Sequence, residues 1–160
     1  MATPAPSTEL HELVREQLAA DEIRYTTGRR SVVATIQMAS GPRTAAELSR
    51  SPRMAVPVSS MYRTLSILEE SDVLRKHHGS DGVGRYELAE WLTGHHHHLV
   101  CVSCGAIEDI EVPRHAESEL KTIVDSLGGD AGFRVLDHVL EIEGVCHACD
   151  ERLTTESRSS

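Results

Sequence analysis

Four cysteines occur in two Cys-x-x-Cys pairs, Cys101 with Cys104 and Cys146 with Cys149. Each pair can place two thiolates at adjacent corners of a tetrahedron, and two pairs fill the four positions of a structural zinc site. A redox dithiol would need only one pair, following a strand of a βαβ unit that the sequence lacks. We therefore expect a structural Zn²⁺ that ties the end of a domain to its start, with His147 as a bystander.

Four consecutive histidines, 95–98, lie just before the first cysteine pair. The run is internal and leads into an apolar segment, which argues against a purification tag. If the run is extended, His96 and His98 share one face and His95 and His97 share the other. Adjacent imidazolium groups repel one another unless something binds them. We expect two separate sites, with nitrogen or oxygen donors available nearby from Glu87, Asp109, Glu117 and His138.

Single histidines are weaker indicators. His138 alternates with Leu136, Leu140 and Ile142 and points towards apolar surroundings, so on its own it is either a core histidine or a ligand. The remaining isolated histidines are expected to be ordinary surface residues: His11, His77, His78 and His115.

Charge is distributed unevenly along the 160 residues, whose net charge is −9. Residues 24–85 contain ten Arg and Lys against five Asp and Glu, a net charge of +5. Residues 91–160 contain five against thirteen, a net charge of −8. This asymmetry predicts a basic nucleic-acid-binding surface joined to an acidic module.

The N-terminal elements fit that surface. Apolar spacing predicts helices over residues 9–21 and 27–39, a short helix over 45–50 with Thr44 and Glu47 as a capping box, and a fourth helix capped by Ser59. Two short extended runs, 73–76 and 85–88, flank a Gly-rich turn and predict a hairpin. Helices followed by a hairpin are typical of a winged helix-turn-helix, in which the last helix enters the major groove.

The second half predicts strands over 96–101, 106–112 and 134–143 and a helix over 115–127. We therefore expect an α+β protein with a winged-helix DNA-binding domain at 9–88, a hinge at 89–94 and a small α/β domain at 95–150. The polar ends, 1–8 and 151–160, are expected to be disordered tails. The chain lacks a signal-peptide pattern and a membrane-length apolar run, so we expect a cytoplasmic protein without a membrane partner.

Four motifs occur in order: VSSMYRTLSILEESDVL at 58–74, YEL at 86–88, HHHHLVCVSCG at 95–105 and GVCHAC at 144–149. Together they resemble the ferric uptake regulator family of bacterial metal-responsive repressors, over about residues 9–150. The resemblance implies a homodimeric repressor that binds an operator in double-stranded DNA and controls metal homeostasis genes. It implies no small-molecule substrate and no enzymatic activity, and it makes the second domain a dimerisation domain.

The resemblance also implies roles for individual residues. Tyr62 matches a recognition-helix residue placed against base methyl groups, Arg63 a phosphate contact, and Arg24 a basic residue near the minor groove. The implied DNA-binding set is Arg24, Arg29, Ser59, Ser60, Tyr62 and Arg63. The implied regulatory metal site is Glu87, His96, His98 and Asp109. The implied second site, in the dimerisation domain, is His95, His97, Glu117 and His138.

The sequence also departs from the family pattern. Pro42 stands where many relatives supply a further regulatory His, and His77 or His78 on the wing is an alternative source of that ligand. Ala89 and Arg75 stand in the region where zinc-sensing relatives place a Cys. The regulatory set therefore has only nitrogen and oxygen ligands, which favours Fe²⁺, with Mn²⁺, Ni²⁺ or Zn²⁺ as alternatives.

Three other functions compete with a metal-dependent repressor. Asp109 in place of Glu is compatible with a peroxide-sensing relative in which bound iron oxidises a ligand histidine. A metal buffer would explain the histidines but not the SSMYRTL segment. A zinc enzyme would need an open metal position beside a base such as Glu108 or Glu111, and the sequence has no His-Glu-x-x-His motif.

Overall fold

The computed structural model of the protein describes residues 7–79 and 81–157. Its N-terminal half has four helices and a three-stranded antiparallel sheet. The helices are α1 (Ser7–Ala20), α2 (Thr27–Gln37), α3 (Ala45–Ser49) and α4 (Val58–Glu70). The strands are β1 (Arg43–Thr44), β2 (Leu74–His78) and β3 (Gly84–Leu88), in the sheet order β1–β3–β2.

Helical periodicity builds the core of this half. Leu10, Val14 and Leu18 recur at every fourth position of α1, and each is at most 1% exposed. On α4 the buried positions are Met61, Leu65 and Leu68, so the opposite face of that helix is left to solvent. These residues belong to one apolar cluster with α2 and the hairpin, which fixes where α4 lies. The predicted helices and hairpin are confirmed to within a few residues.

Local capping explains where these helices begin. The predicted capping box at α3 is confirmed, because the Thr44 hydroxyl accepts from Glu47 N while the Glu47 carboxylate accepts from Thr44 N. The predicted cap at Ser59 is wrong. Helix α4 begins at Val58 after Pro57, without a side-chain cap, so Ser59 lies inside its first turn. Pro57 at the N-cap has no side-chain acceptor, and the first turn is closed by the backbone hydrogen bond from Ser60 N to Pro57 O at 2.9 Å.

The second half forms a separate mixed sheet. Its elements are α5 (Glu90–Thr93), β4 (His97–Cys101), β5 (Ile107–Ile110), α6 (Arg114–Asp130), β6 (Glu141–Gly144) and α7 (His147–Ser157). The sheet order is β5–β4–β6, with β4 antiparallel to β5 and parallel to β6. The central strand β4 therefore positions everything around it. This mixture of helices and sheets confirms the α+β class.

Three predicted segments differ from the structure. The strand predicted over 134–143 is mostly irregular, and only Glu141–Gly144 pairs with β4. Leu136 and Val139 are 79% and 82% exposed, because no strand lies beside them in the described chain. Residues 151–157 of the predicted tail continue α7, and Ser7 and Thr8 of the other tail begin α1. Residues 1–6 and 158–160 of the predicted tails lie outside the described residues.

The two halves touch at the loop before α3. Asp109 N donates to Ser40 O at 3.2 Å, and the Ser40 hydroxyl lies 2.9 Å from Glu108 Oε2. A Cβ on Gly41 would lie 2.8 Å from Ile107 O, so this close backbone approach requires glycine. The predicted hinge contains α5, and Ala89 at its start is fully buried.

None of the helices in the described part of the chain combines the length and apolar character that a membrane span would require.

Replacing Leu65 with Ala tests the core assignment. The side chain is 0% exposed, so its truncation leaves a cavity and should lower the free energy of unfolding by about 2–5 kcal/mol. Urea denaturation of zinc-loaded protein measures the change. Ser66→Ala, at an exposed position on the same helix, is the matched control and should change stability by less than about 0.5 kcal/mol. Equal stability of the two variants would contradict the packing described above.

Candidate metal centres

The four cysteines converge in the second half and form what we call the cysteine site. Their Sγ atoms all lie within 4.8 Å of one another, and Cys104 Sγ lies 3.8 Å from Cys146 Sγ. The parallel pairing of Cys101 with Gly144 brings the end of β4 beside the start of the second pair. All four cysteines are free thiols rather than disulfides. Structure and spacing agree that the two pairs share one location.

The acid–base properties of the thiols fit a cation. Backbone hydrogen bonding from Cys146 N lowers the pKa of Cys101 to about 6. A backbone hydrogen bond at Ala106 acts in the opposite direction at Cys104, but burial and hydrogen bonds with the other thiols raise its pKa to about 11. Cys101 therefore ionises more readily than Cys104, which lies beside it in the same cluster. A divalent ion with four thiolate ligands removes that conflict, so the residues present fit zinc.

His147 lies inside the second cysteine pair, and the sequence predicts that it is not a zinc ligand. The His147 side chain is 87% exposed, and its Nε2 lies 3.2 Å from Glu151 Oε1 rather than near the sulfurs.

A second cluster, the first histidine site, contains Glu87, His96, His98 and Asp109, whose donor atoms all lie within 4.8 Å of one another. Glu87 Oε2 lies 3.1 Å from both His96 Nε2 and His98 Nε2. Asp109, which is paired with His98 across β4 and β5, places Oδ1 3.6 Å from His98 Nε2. The structure therefore brings together all four residues expected at the regulatory position.

Electrostatics in the first histidine site depend on Glu87, which is 7% exposed. Burial alone would raise the pKa of Glu87, but hydrogen bonds with His77, His96 and His98 hold it well below its usual range. The hydrogen bond with Glu87 in turn raises the pKa of His96 to about 9. His96 Nδ1 lies 3.0 Å from Gly94 O, and donation to that carbonyl orients Nε2 towards the carboxylate. The geometry and ligand types fit a divalent ion.

A third cluster, the second histidine site, contains His95, His97, Glu117 and His138, again with donor atoms within 4.8 Å of one another. Glu117 reaches it from the first turn of α6, with Oε2 2.8 Å from His97 Nε2 and Oε1 3.4 Å from His138 Nε2. The buried His138 Nε2 has no hydrogen-bond partner despite that distance. A cation held between this buried nitrogen and the Glu117 carboxylate would satisfy both groups, so the residues present fit a metal ion.

His138 does not lie in an apolar setting, contrary to its alternation with Leu136 and Leu140. Its ring centroid is 4.9 Å from that of His95, and the segment before β6 is irregular, so alternation does not apply there. The surface expectation for His11 is also wrong, because His11 is 6% exposed and its Nδ1 lies 2.6 Å from the Tyr25 hydroxyl.

His77 was expected to be an ordinary surface histidine, yet its Nε2 lies 2.6 Å from Glu87 Oε1. In the hairpin, Arg75 is paired with Glu87 and His77 with Arg85, so His77 and Glu87 are diagonal neighbours on one face. The contact follows from the register of the hairpin, and the strand predicted over 73–76 ends before His77. His78, the other wing candidate, is exposed on the opposite face of β2.

The hairpin also contacts the cysteine site through Arg85, which is 6% exposed. Its guanidinium binds both oxygens of Asp81 at 2.9 and 3.0 Å and donates to Cys104 O at 3.4 Å. The hydrogen bond with Arg85 lowers the pKa of Asp81 to about 2. A Cβ on Gly105, whose φ is +69°, would lie 2.6 Å from the Asp81 carboxyl carbon. Glycine is therefore required where the hairpin rests on the cysteine turn.

The residues expected to contact DNA lie on the N-terminal half. Ser59, Ser60 and Arg63 are exposed on the first turns of α4, and Tyr62 is 62% exposed there. Arg24 and Arg29 lie together at the start of α2, where the Arg29 guanidinium donates to the Arg24 carbonyl. Arg24 and Arg63 are exposed, whereas Arg29 is half-buried with its Nε shielded from solvent.

Comparisons with known proteins agree with this arrangement. A family model described as the Ferric uptake regulator family matches residues 20–143. The ferric uptake regulation protein of Bacillus subtilis (strain 168) is 32% identical over 146 residues, which cover 88% of this chain and 95% of that protein.

Solved structures agree on the fold. The Helicobacter pylori ferric uptake regulator superposes with a TM-score of 0.74 over 94% of this chain and 97% of that chain, at 21% identity. A zinc-bound manganese uptake regulator superposes with a TM-score of 0.62 over 83% of this chain and 98% of that chain, at 26% identity.

Proton release should accompany metal binding at the first histidine site. Metal-free His96, with a pKa of about 9, is protonated at neutral pH, and an imidazole must lose that proton to act as a ligand. Affinity should therefore rise with pH up to about 9. Calorimetry at pH 7.5 in two buffers of different ionisation enthalpy should detect about one proton per ion from His96. The cysteine site is filled with zinc beforehand. Identical enthalpies in both buffers would contradict the assigned protonation.

Proposed function

The chain belongs to the ferric uptake regulator family, and from that premise we propose that it is a metal-dependent, DNA-binding transcriptional repressor rather than an enzyme. The observation that carries the proposal is the first histidine site. Glu87 comes from the hairpin that follows α4, whereas His96, His98 and Asp109 come from the other half of the chain. A divalent ion there would cross-link the two halves.

DNA binding is assigned to a winged helix-turn-helix formed by α2, α3, α4 and the β2–β3 hairpin. The buried face of α4 is fixed by Met61, Leu65 and Leu68, so Tyr62 and Arg63 project outwards. An exposed tyrosine beside an arginine suits the major groove, where a ring can contact a thymine methyl and a guanidinium can bind phosphate. Arg24 and Arg29, with Ser59 and Ser60, complete the set assigned to the DNA surface.

A homodimer is supported by apolar side chains that the single chain leaves exposed. Helix α6 has no buried residue in the described structure, and the segment after it is equally exposed. An apolar surface of this extent is typical of a protein–protein interface. Its members are Ile123, Leu127, Phe133, Leu136, Val139, Ile142 and Val145, which are 45–82% exposed. A two-fold dimer through this face, in the domain we assign to dimerisation, would present two α4 helices to two half-sites.

The ligand set determines how metal and DNA affinity would be linked. Between Glu87 on β3 and His96 before β4, the chain contains the short helix α5. An ion bound by both residues would hold the hairpin against β4, and it would thereby limit how α4, which packs on the hairpin, can tilt relative to β4. If the limited orientation is the one that fits two half-sites, metal and operator strengthen each other's binding by the same factor. The nitrogen and oxygen ligands favour Fe²⁺, with Mn²⁺, Ni²⁺ and Zn²⁺ as alternatives.

The other two sites are given supporting roles. The cysteine site offers four thiolates and no open position, which suits a structural Zn²⁺. The second histidine site joins Glu117 of α6 to His95 and His97 beside β4, so an ion there would hold the helix of the assigned dimer surface.

A peroxide-sensing repressor is the second candidate, favoured by Asp109 at the first histidine site. Iron held there would lie beside His96 and His98, whose oxidation would remove a ligand and release DNA. Peroxide treatment of the iron-loaded protein separates the two candidates. Mass spectrometry would show one added oxygen on a peptide containing these histidines only in the peroxide sensor.

Substitutions on α4 test DNA recognition apart from metal binding. Tyr62→Ala should weaken operator affinity about tenfold or more, because the base contact is lost. Arg63→Ala should reduce the slope of log affinity against log salt by about one, because one phosphate contact is lost. Fluorescence anisotropy measures both quantities, and chelator competition should show unchanged metal affinity.

Arg114→Ala, at an exposed arginine on α6, is the charge-matched control and should leave DNA affinity unchanged. Full DNA affinity in both α4 variants would refute the assigned reading helix and favour a metal buffer.

A further inference from the structure

We propose that His77 is a fifth ligand of the first histidine site, joining Glu87, His96, His98 and Asp109. The inference rests on the proposed function only in taking this site as the one that binds the regulatory metal. Without His77, the hairpin gives the site one ligand, Glu87 from β3. His77 adds a ligand from the other strand of the hairpin, β2. Its basis is the arrangement of side chains around the Glu87 carboxylate.

Three imidazoles converge on that carboxylate. Oε1 lies 2.6 Å from His77 Nε2, and Oε2 lies 3.1 Å from the Nε2 atoms of His96 and His98. The His77 and His98 rings meet edge to face with centroids 4.7 Å apart. His77 therefore presents the same ring nitrogen to the same carboxylate as the two assigned ligands, but at the other oxygen.

Burial indicates that this position is built into the fold. The His77 side chain is 23% exposed and that of Glu87 is 9% exposed. Pro42, where the sequence lacks the expected histidine, is buried and offers no donor atom. His78 is exposed and lies on the opposite face of β2, so the geometry selects His77 from the two wing histidines.

Coordination chemistry favours the five-ligand set. Three imidazoles and two carboxylates balance the charge of a divalent ion within the site, and hard first-row ions such as Mn²⁺ and Fe²⁺ accept five or six nitrogen and oxygen ligands. The donor atoms of Glu87, His96, His98 and Asp109 lie within 4.8 Å of one another without His77, and His77 reaches that site through Glu87 Oε1, which lies 2.6 Å from its Nε2. His77 could instead join His98 and Glu141, because the donor atoms of those three residues lie within 4.8 Å of one another. That set has one carboxylate, which is exposed, and it would leave the buried Glu87 without its closest partner. The shared site is therefore preferred.

Replacing His77 with Ala tests the proposal by metal binding alone, in full-length protein whose cysteine site already holds zinc. Chelator competition with Co²⁺ and Mn²⁺ should show affinity at the first histidine site about tenfold weaker or more, the scale on which even outer-shell partners matter. The visible absorption of bound Co²⁺ should change in intensity, because the ligand number falls. The number of ions bound per chain should stay the same.

His78→Ala is the matched control on the same strand, and Glu141→Gln tests the competing set; both should bind metal as the unaltered protein does. Unchanged affinity and absorption in the His77 variant would overturn the proposal. So would the loss of one ion per chain in both the His77 and Glu141 variants, because that result assigns His77 to a separate ion.

Thermal unfolding of the metal-free variants checks that the fold is intact, and His77→Gln repeats the measurement with a polar side chain of similar size. These measurements contain no DNA. A negative result would therefore refute the His77 ligand without bearing on DNA recognition, which the α4 substitutions test separately.

Discussion

Glu87 is 7% exposed, and a carboxylate at that depth has to be matched by positive charge or hydrogen-bond donors. Among the described residues of its own half, Glu87 is hydrogen-bonded to His77 of the hairpin. The other two imidazoles are those of His96 and His98, from the second half. The packing of the hairpin beside β4 therefore supplies two of the three imidazoles that meet the buried carboxylate. In the function proposed above, a divalent ion would replace the shared protons, and Glu87 would link metal binding to the position of α4.

Strand β4 is the element that all three sites share. Its alternation sends His97 and His98 to opposite faces, towards Glu117 and Glu87 respectively. Its end carries Cys101, and its parallel pairing with β6 brings the second cysteine pair alongside. Arg85 adds a direct link by joining the hairpin to the carbonyl of Cys104. The first histidine site and the cysteine site therefore each contact the hairpin directly, through Glu87 and Arg85 respectively.

Regular patterns predicted the fold and much of the candidate sites. Helical spacing located α1 and α4, and strand alternation divided 95–98 between two clusters. Alternation misplaced His138, because Leu136 and its neighbours are irregular and no strand of the described residues lies beside them. The contact of His77 with Glu87 depends on a diagonal in the hairpin register, which spacing alone does not give. The burial of His11 against Tyr25 depends on how α1 packs, and a single polar residue in a helical pattern does not indicate its depth.

The most direct test is operator affinity measured with and without metal at the first histidine site, paired with metal affinity measured with and without operator. DNA from upstream of the protein's own gene is followed by anisotropy, anaerobically, with Fe²⁺, Mn²⁺, Ni²⁺ and Zn²⁺ in turn. We expect one metal to tighten DNA binding by a factor of about 5–150, and DNA to tighten that metal by the same factor. DNA affinity that none of the four metals changes, in protein that demonstrably binds them, would contradict the account.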